Sequence, residues 1–160
     1  MLAPAPHFEI APRDIKGVLH CSGPNWPRQK PSEAHRRGLR YERKVLTALS
    51  QQSYNCGQWF TYLEGASPRS NYCQVDAFKV DRYSLKIVEV KIRWCTEAIV
   101  QLLGLYHPLL SWYYKGRRDS SCYVVCRSFD PSVPGSDYAK RVKNLDEDPG
   151  EGKIGVLIWQ

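Results

Sequence analysis

No stretch of this chain stays apolar for long enough to cross a bilayer. A spanning helix needs roughly 20 apolar residues, and the greasiest run, residues 98–110, is broken by Gln101, His107 and Pro108. A basic start followed by an apolar run is also lacking: residues 1–14 carry Pro4, Pro6 and Pro12 instead. Export is therefore not expected, and the chain reads as cytoplasmic. Histidine is scarce, and His7, His20, His35 and His107 show no ligand spacing. The six cysteines, without a secretion signal, read as reduced thiols. Cys122 and Cys126, four apart on an apparent strand, would stand about 13 Å from each other, too far to share a zinc ion whose Zn–S bonds are about 2.3 Å. Internal repeats and low-complexity tracts are absent as well. These gaps argue against a membrane protein, a disulfide-stapled secreted module and a zinc-binding module.

What remains is a globular composition, with 160 residues, 42% hydrophobic and 24% charged. One domain is expected. The formal charge of +7 favours a polyanionic partner, because each Lys or Arg that neutralises a phosphate releases condensed counterions. Residues 1–31 hold six of the eleven prolines and read as an extended arm ahead of a domain spanning 32–160. Ser32 is placed to cap a helix whose apolar stripe is Leu39, Val45, Leu46 and Leu49. Residues 58–63, 72–80 and 85–91 read as three strands of a meander. A second helix starts at Thr96 and runs toward Lys115. Pro108 interrupts it by removing the hydrogen bond to Gly104. Residues 123–126 form a strand buried on both faces, residues 130–152 a long polar loop, and residues 154–159 a last strand.

The chemistry concentrates in the meander. If residues 81–84 form a four-residue loop, Val80 flanks Leu85 and Asp76 falls opposite Glu89. A three-residue loop would send the two acids to opposite faces. Opposed like charges are destabilising on a sheet unless something offsets them, and a divalent cation is the natural offset. Lys91, two residues beyond Glu89, emerges on the same face. Ile87, Val88 and Val90 mark the strand as deeply set, so its acid and amine need partners. On a hydrolytic reading Asp76 and Glu89 hold Mg²⁺, and Lys91 orients or deprotonates the attacking water and offsets developing charge.

Asp76, followed after twelve residues by Glu89-Val90-Lys91, resembles the bipartite motif of the PD-(D/E)xK nuclease superfamily. The helix, three strands, helix, strand order over residues 33–127 is similar to that family's core. The resemblance implies an α/β fold with a restriction-endonuclease-like αβββαβ core, a central mixed sheet flanked by helices. It implies Mg²⁺ as cofactor, with Mn²⁺ substituting, held by Asp76, Glu89, the Val90 backbone carbonyl and, through water, Glu42. Glu42 resembles the first-helix acid of the family and sits on the apolar stripe. Gln101 and Tyr106 resemble the Gln and Tyr of branches similar to RecB and lambda exonuclease. On an ideal helix they lie about 140° apart, so only a kink realigns them. Val75 stands where the family often has Pro.

DNA is the expected partner. Arg36, Arg37, Arg40, Arg43 and Lys44 on the first helix, with Arg93, Lys115, Arg117 and Arg118, are the candidate phosphate contacts. A dimer is the expected assembly if the chain self-associates. Two other readings remain open, a Holliday-junction resolvase and a non-catalytic nucleic-acid-binding module with the nuclease fold. Asp with Glu-x-Lys is a short pattern that ordinary solvated hairpins also carry. The apolar strand around Glu89, the stripe-facing Glu42 and the order of elements set this instance apart.

Overall fold

The computed structural model describes residues 9–27, 29–115 and 119–160. The chain is mixed α/β. One seven-stranded sheet, in the order β1-β2-β3-β4-β5-β7-β6, is antiparallel from β1 to β4 and parallel from β4 onward. The strands are β1 (Ile15–Cys21), β2 (Asn55–Glu64), β3 (Asn71–Val80), β4 (Ser84–Val90), β5 (Asp119–Cys126), β6 (Ala139–Arg141) and β7 (Ile154–Ile158). Helix α1 (Glu33–Gln51) packs on one face; α2 (Thr96–Gln101), a π-helical turn (Leu102–Tyr106) and α3 (His107–Tyr113) pack on the other. Among the described residues no helix is long and apolar enough to cross a membrane.

Ser32 caps α1, its side chain accepting from the His35 N–H at 3.1 Å, which satisfies one of the donors a helix start leaves open. The buried stripe of α1 is Tyr41, Val45 and Leu49, spaced four apart so that they line one side. Leu39 and Leu46, expected on that stripe, stand beside it: Leu39 is exposed and Leu46 half-buried. The α1 face of the core also takes Ala77, Val88, Val90, Tyr123 and Val125. Leu85, Ile87, Cys122 and Val124 point to the other layer, so β4 and β5 are buried on both sides, as parallel strands require.

Two segments differ from the sequence expectation. The proline-rich leading segment contributes β1, an edge strand on β2 with an irregularity between Lys16 and Leu19. Gly17, at φ +59°, supplies that break, and Val18 is buried beside it. Alternation is lost there, so the strand was not readable by period. The polar loop of residues 130–152 contains a short 3₁₀ turn (Ser136–Tyr138) and β6. Three half-exposed or exposed residues at the sheet edge carry no apolar pattern to announce them.

The β3–β4 link sets the register of the site. Val80 pairs with Leu85 and Ala77 with Val88, and the Asp81 N–H donates to the Ser84 carbonyl at 2.9 Å. The four-residue count therefore holds, and one more step brings Asp76 level with Glu89. No β3–β4 pair forms at that step: the strands part there. On the other side of β3, pairing with β2 keeps its count from Tyr62–Asn71 to Asn55–Phe78 but skips Gly57 and Asp76. The faces also exchange at this point. Phe60, Tyr62, Cys73 and Val75 pack toward the α2–α3 layer, whereas Cys56 and Ala77 pack toward α1. Both strands turn over together, with Gly57 at φ +67°, a region that costs an L-residue about 1–2 kcal/mol.

Gly57→Ala is accordingly expected to lower unfolding free energy by about 1–2 kcal/mol, read as a shifted urea midpoint at unchanged slope.

Candidate active site

Asp76, Glu89 and Lys91 meet where β3 leaves β4. Asp76 Oδ2 accepts the Val90 N–H at 2.8 Å, so a carboxylate occupies the place a strand carbonyl would take in the ladder. Glu89 lies on the strand interior, only 1% exposed. Its Oε1 faces the Lys91 ammonium at 3.2 Å, while its Oε2 is buried with no hydrogen-bond partner among the described residues. A buried carboxylate oxygen without a partner is costly, and native interiors keep few such groups.

The electrostatics follow from this crowding. Burial pushes both carboxyls above the usual range. Hydrogen bonds from the Val90 N–H and the Glu89 carboxyl, with the Lys91 charge, pull Asp76 back, while burial first and Asp76 second hold Glu89 well above it despite Lys91. Burial pulls the Lys91 ammonium down, but Glu89 and Asp76 outweigh it and leave the amine above its ordinary value. Glu42, half-buried on α1, is also raised, by burial first and by Asp76 second, with Lys91 opposing. Glu42 therefore lies within electrostatic reach of both. With Leu39, Leu46 and Cys56 it lines a groove between α1 and β2, on the flank of the helix and not on the buried stripe.

Gln101 and Tyr106 are brought together. Between them the helix widens into the π turn, whose backbone bonds span five residues instead of four, as when the His107 N–H reaches the Leu102 carbonyl. Side chains five apart then share a face, and Gln101 Nε2 donates to the Tyr106 hydroxyl at 2.8 Å. That hydroxyl donates to the Gln74 carbonyl at 3.0 Å. Pro108 has no N–H for Gly104, and the freed Gly104 carbonyl accepts from Arg13 N–H at 3.0 Å. Burial, then Glu89 and Asp76, holds the Tyr106 phenol far above its ordinary value; it stays neutral and acts as donor and acceptor.

The basic residues separate into groups. Arg37, Arg40 and Lys44 of α1 line a groove of about 610 Å³ with Arg93 and Arg127. An adjoining groove carries Arg93 on to Lys91. Arg36 pairs with Glu33 at 3.8 Å, and Arg43 lines the Glu42 groove instead. Lys115 lies over the Trp112 ring, 4.3 Å from its centre. It is four residues ahead of Asp119, which pairs with Ser84, and so belongs to the opposite end of β4 from Lys91. Arg117 and Arg118 lie outside the described residues. Arg127 was missed by sequence reasoning. Its signal was the register of β4 on β5, which sets Val90 beside Val125 and brings the Arg127 N–H to the Ile92 carbonyl at 2.8 Å. Gln74, whose carbonyl receives Tyr106, had no sequence signal.

No family model, curated protein or solved structure matches the chain. Its chemistry rests on its own geometry. Among the described residues no group of three or more His, Cys, Asp or Glu side chains is gathered to hold a metal ion; two carboxylates meet, with Glu42 nearby.

The raised carboxyls make a pH prediction. Folded, they bind protons more tightly than unfolded, so their contribution to metal-free stability is fullest below the ordinary carboxylate range and falls as pH rises toward the raised values. Glu89→Gln should raise the melting temperature of chelator-treated protein at neutral pH, with the gap closing in acid. A Glu89→Gln variant no more stable than wild type at neutral pH contradicts the assignment.

Proposed function

We propose that this chain is a Mg²⁺-dependent deoxyribonuclease of the PD-(D/E)xK kind, built on a restriction-endonuclease-like core. The observation that carries the reading is the meeting of Asp76, Glu89 and Lys91 at the β3–β4 parting, with one Glu89 oxygen buried and unpartnered. The order α1, β2-β3-β4, α2-α3, β5 supports it, and so does the basic groove leading to Lys91.

The residues present fit a hard divalent cation. Mg²⁺ takes one or two carboxylates and leaves its other positions to water and phosphate oxygens, so a two-acid site is sufficient. Asp76 and Glu89 would hold it, with the Val90 carbonyl adjoining and Glu42 acting through water; Mn²⁺ would substitute. When bound, such an ion lowers the pKa of a water and offsets phosphate charge.

The chain's own groups do the rest. The Glu89 oxygen without a hydrogen-bond partner among the described residues, beside Asp76, would be satisfied by a cation or a proton. Lys91, kept as an ammonium by two acids, donates hydrogen bonds and neutralises charge developing on the phosphate, and does not serve as the base. Glu42, the third acid within reach, orients or receives a proton from the attacking water. Gln101, fixed by Tyr106, lines the approach from the other face. Arg37, Arg40, Lys44, Arg93 and Arg127 hold phosphates and position the strand without reading its sequence.

Asp76→Asn, Glu89→Gln and Lys91→Ala are each expected to cut Mg²⁺-dependent cleavage of linear DNA by about a hundredfold or more while DNA binding persists. Cleavage that survives chelation, or mutants that cut like wild type, overturns the reading. Binding without any cleavage of linear, circular or branched DNA favours a non-catalytic module. Arg37→Ala with Arg127→Ala should weaken binding across sequences and reduce the salt slope by roughly two, measured by titration at several salt concentrations.

A further inference from the structure

Beyond the carboxylates, β2 and β3 carry an aromatic strip that no helix among the described residues covers. Past the turnover at Gly57 and Asp76, Phe60, Tyr62, Cys73 and Val75 pack inward on the α2–α3 side. The opposite side of the same strands presents Trp59, Thr61, Tyr72 and Gln74. The buried contacts of α1 lie with Ala77, Val88 and Val90, on the far side of the turnover, so the helix stops short of this surface.

Trp26, in the connection between β1 and α1, reaches over the strip. Its ring centre is 5.9 Å from that of Trp59 and 5.9 Å from that of Tyr72, meeting both nearly edge-on at 84° and 73°. Trp26 is 62% exposed, Tyr72 43%, and neighbouring Leu19 66%. Gly23 makes room for this cluster: a Cβ there would come within 2.9 Å of the Trp59 ring. Large aromatics held open to solvent need a reason, since scattered apolar side chains are ordinary but contiguous ones mark a contact surface.

The geometry points to a stacking platform for the unpaired bases of a single-stranded DNA segment, laid beside the cleavage site. The inference rests on the proposed reading of Asp76 and its neighbours as a DNA site. Trp59 pairs with Gln74, two residues from Asp76, and Tyr72 is four residues from it. At the strand rise Gln74, across from Trp59, and Tyr72 are about 7 and 13 Å along β3 from Asp76, or roughly two and four stacked nucleotide steps. Gln74 and Thr61 between the rings are uncharged. Arg43 lines the α1 groove that reaches Cys56, three residues before Trp59, and exposed Arg69 lies three residues before Tyr72, so a cation lies toward each end of the strip. Uncharged rings between two cations suit bases flanked by phosphates, because every base offers a π face whatever its sequence. A second copy of this chain, itself strongly cationic, would bring like charge to the same surface.

The test measures binding, not cleavage, so it separates this inference from the nuclease reading. Labelled oligothymidylate and a labelled blunt duplex are titrated with the full chain in chelator, followed by anisotropy. Wild type should bind the single strand with quenching of tryptophan emission. Trp26→Ala and Tyr72→Ala should each weaken single-strand binding about ten- to hundredfold, Trp26→Phe should restore most of it, and duplex affinity should stay near wild type. Circular dichroism spectra matching wild type establish that the variants fold. Unchanged single-strand affinity in folded variants, an equal loss on duplex, or no single-strand binding at all overturns the platform. So does a sedimentation shift from dimer to monomer in Trp26→Ala with unchanged DNA affinity, which would assign the strip to self-association. If single strands bind through the rings but no DNA is ever cut, the platform stands and the nuclease reading falls.

Discussion

A single hydrogen bond, from the Val90 N–H to the Asp76 carboxylate, organises the site. In a continuous ladder that N–H would be met by a backbone carbonyl and the two strands would run on side by side. Here a side chain satisfies it, so β3 is free to leave β4 without orphaning the amide. The parting leaves Asp76 fixed to β4 at the level of Glu89, two residues from the Lys91 that lines the neighbouring groove. Two carboxyls then share one buried neighbourhood with one ammonium, a set that is anionic when fully charged and is eased by a proton or a cation.

The two helical layers contribute differently to this opening. α1 buries one side on the sheet and turns Glu42, Leu39 and Leu46 along its flank, while its outer arginines border the groove at the ends of β4 and β5. The other layer is tied to β3 by the Tyr106 hydroxyl, which donates to the Gln74 carbonyl. A carboxylate at the sheet end is thus approached from one face by a half-solvated acid and from the other by a neutral, hydrogen-bonded phenol and amide.

Much of this could be read from the residues. The four-residue loop fixed the register by counting, the run Ile87-Val88 and Val90 marked a buried strand, and Pro108 announced a break in the second helix. Gln101 and Tyr106 looked misaligned because the count assumed an α-helix, and the extra backbone atom positions of a π turn are not visible in side-chain periodicity. The exchange of faces at Gly57 was equally hidden, since strict alternation was the assumption and a glycine in a strand fits several outcomes. β1 escaped because proline density suggested an arm. Arg127 escaped because its neighbour Ile92 is remote in sequence and becomes adjacent only through parallel pairing.

The Gly104 carbonyl, left without its helical donor by Pro108 and held by the Arg13 amide, ties the leading segment to the turn that carries Tyr106. A fusion placed ahead of residue 9 therefore adjoins a strap whose other end sits beside the buried carboxyls, so the end of the chain chosen for an affinity handle is a chemical decision as well as a practical one.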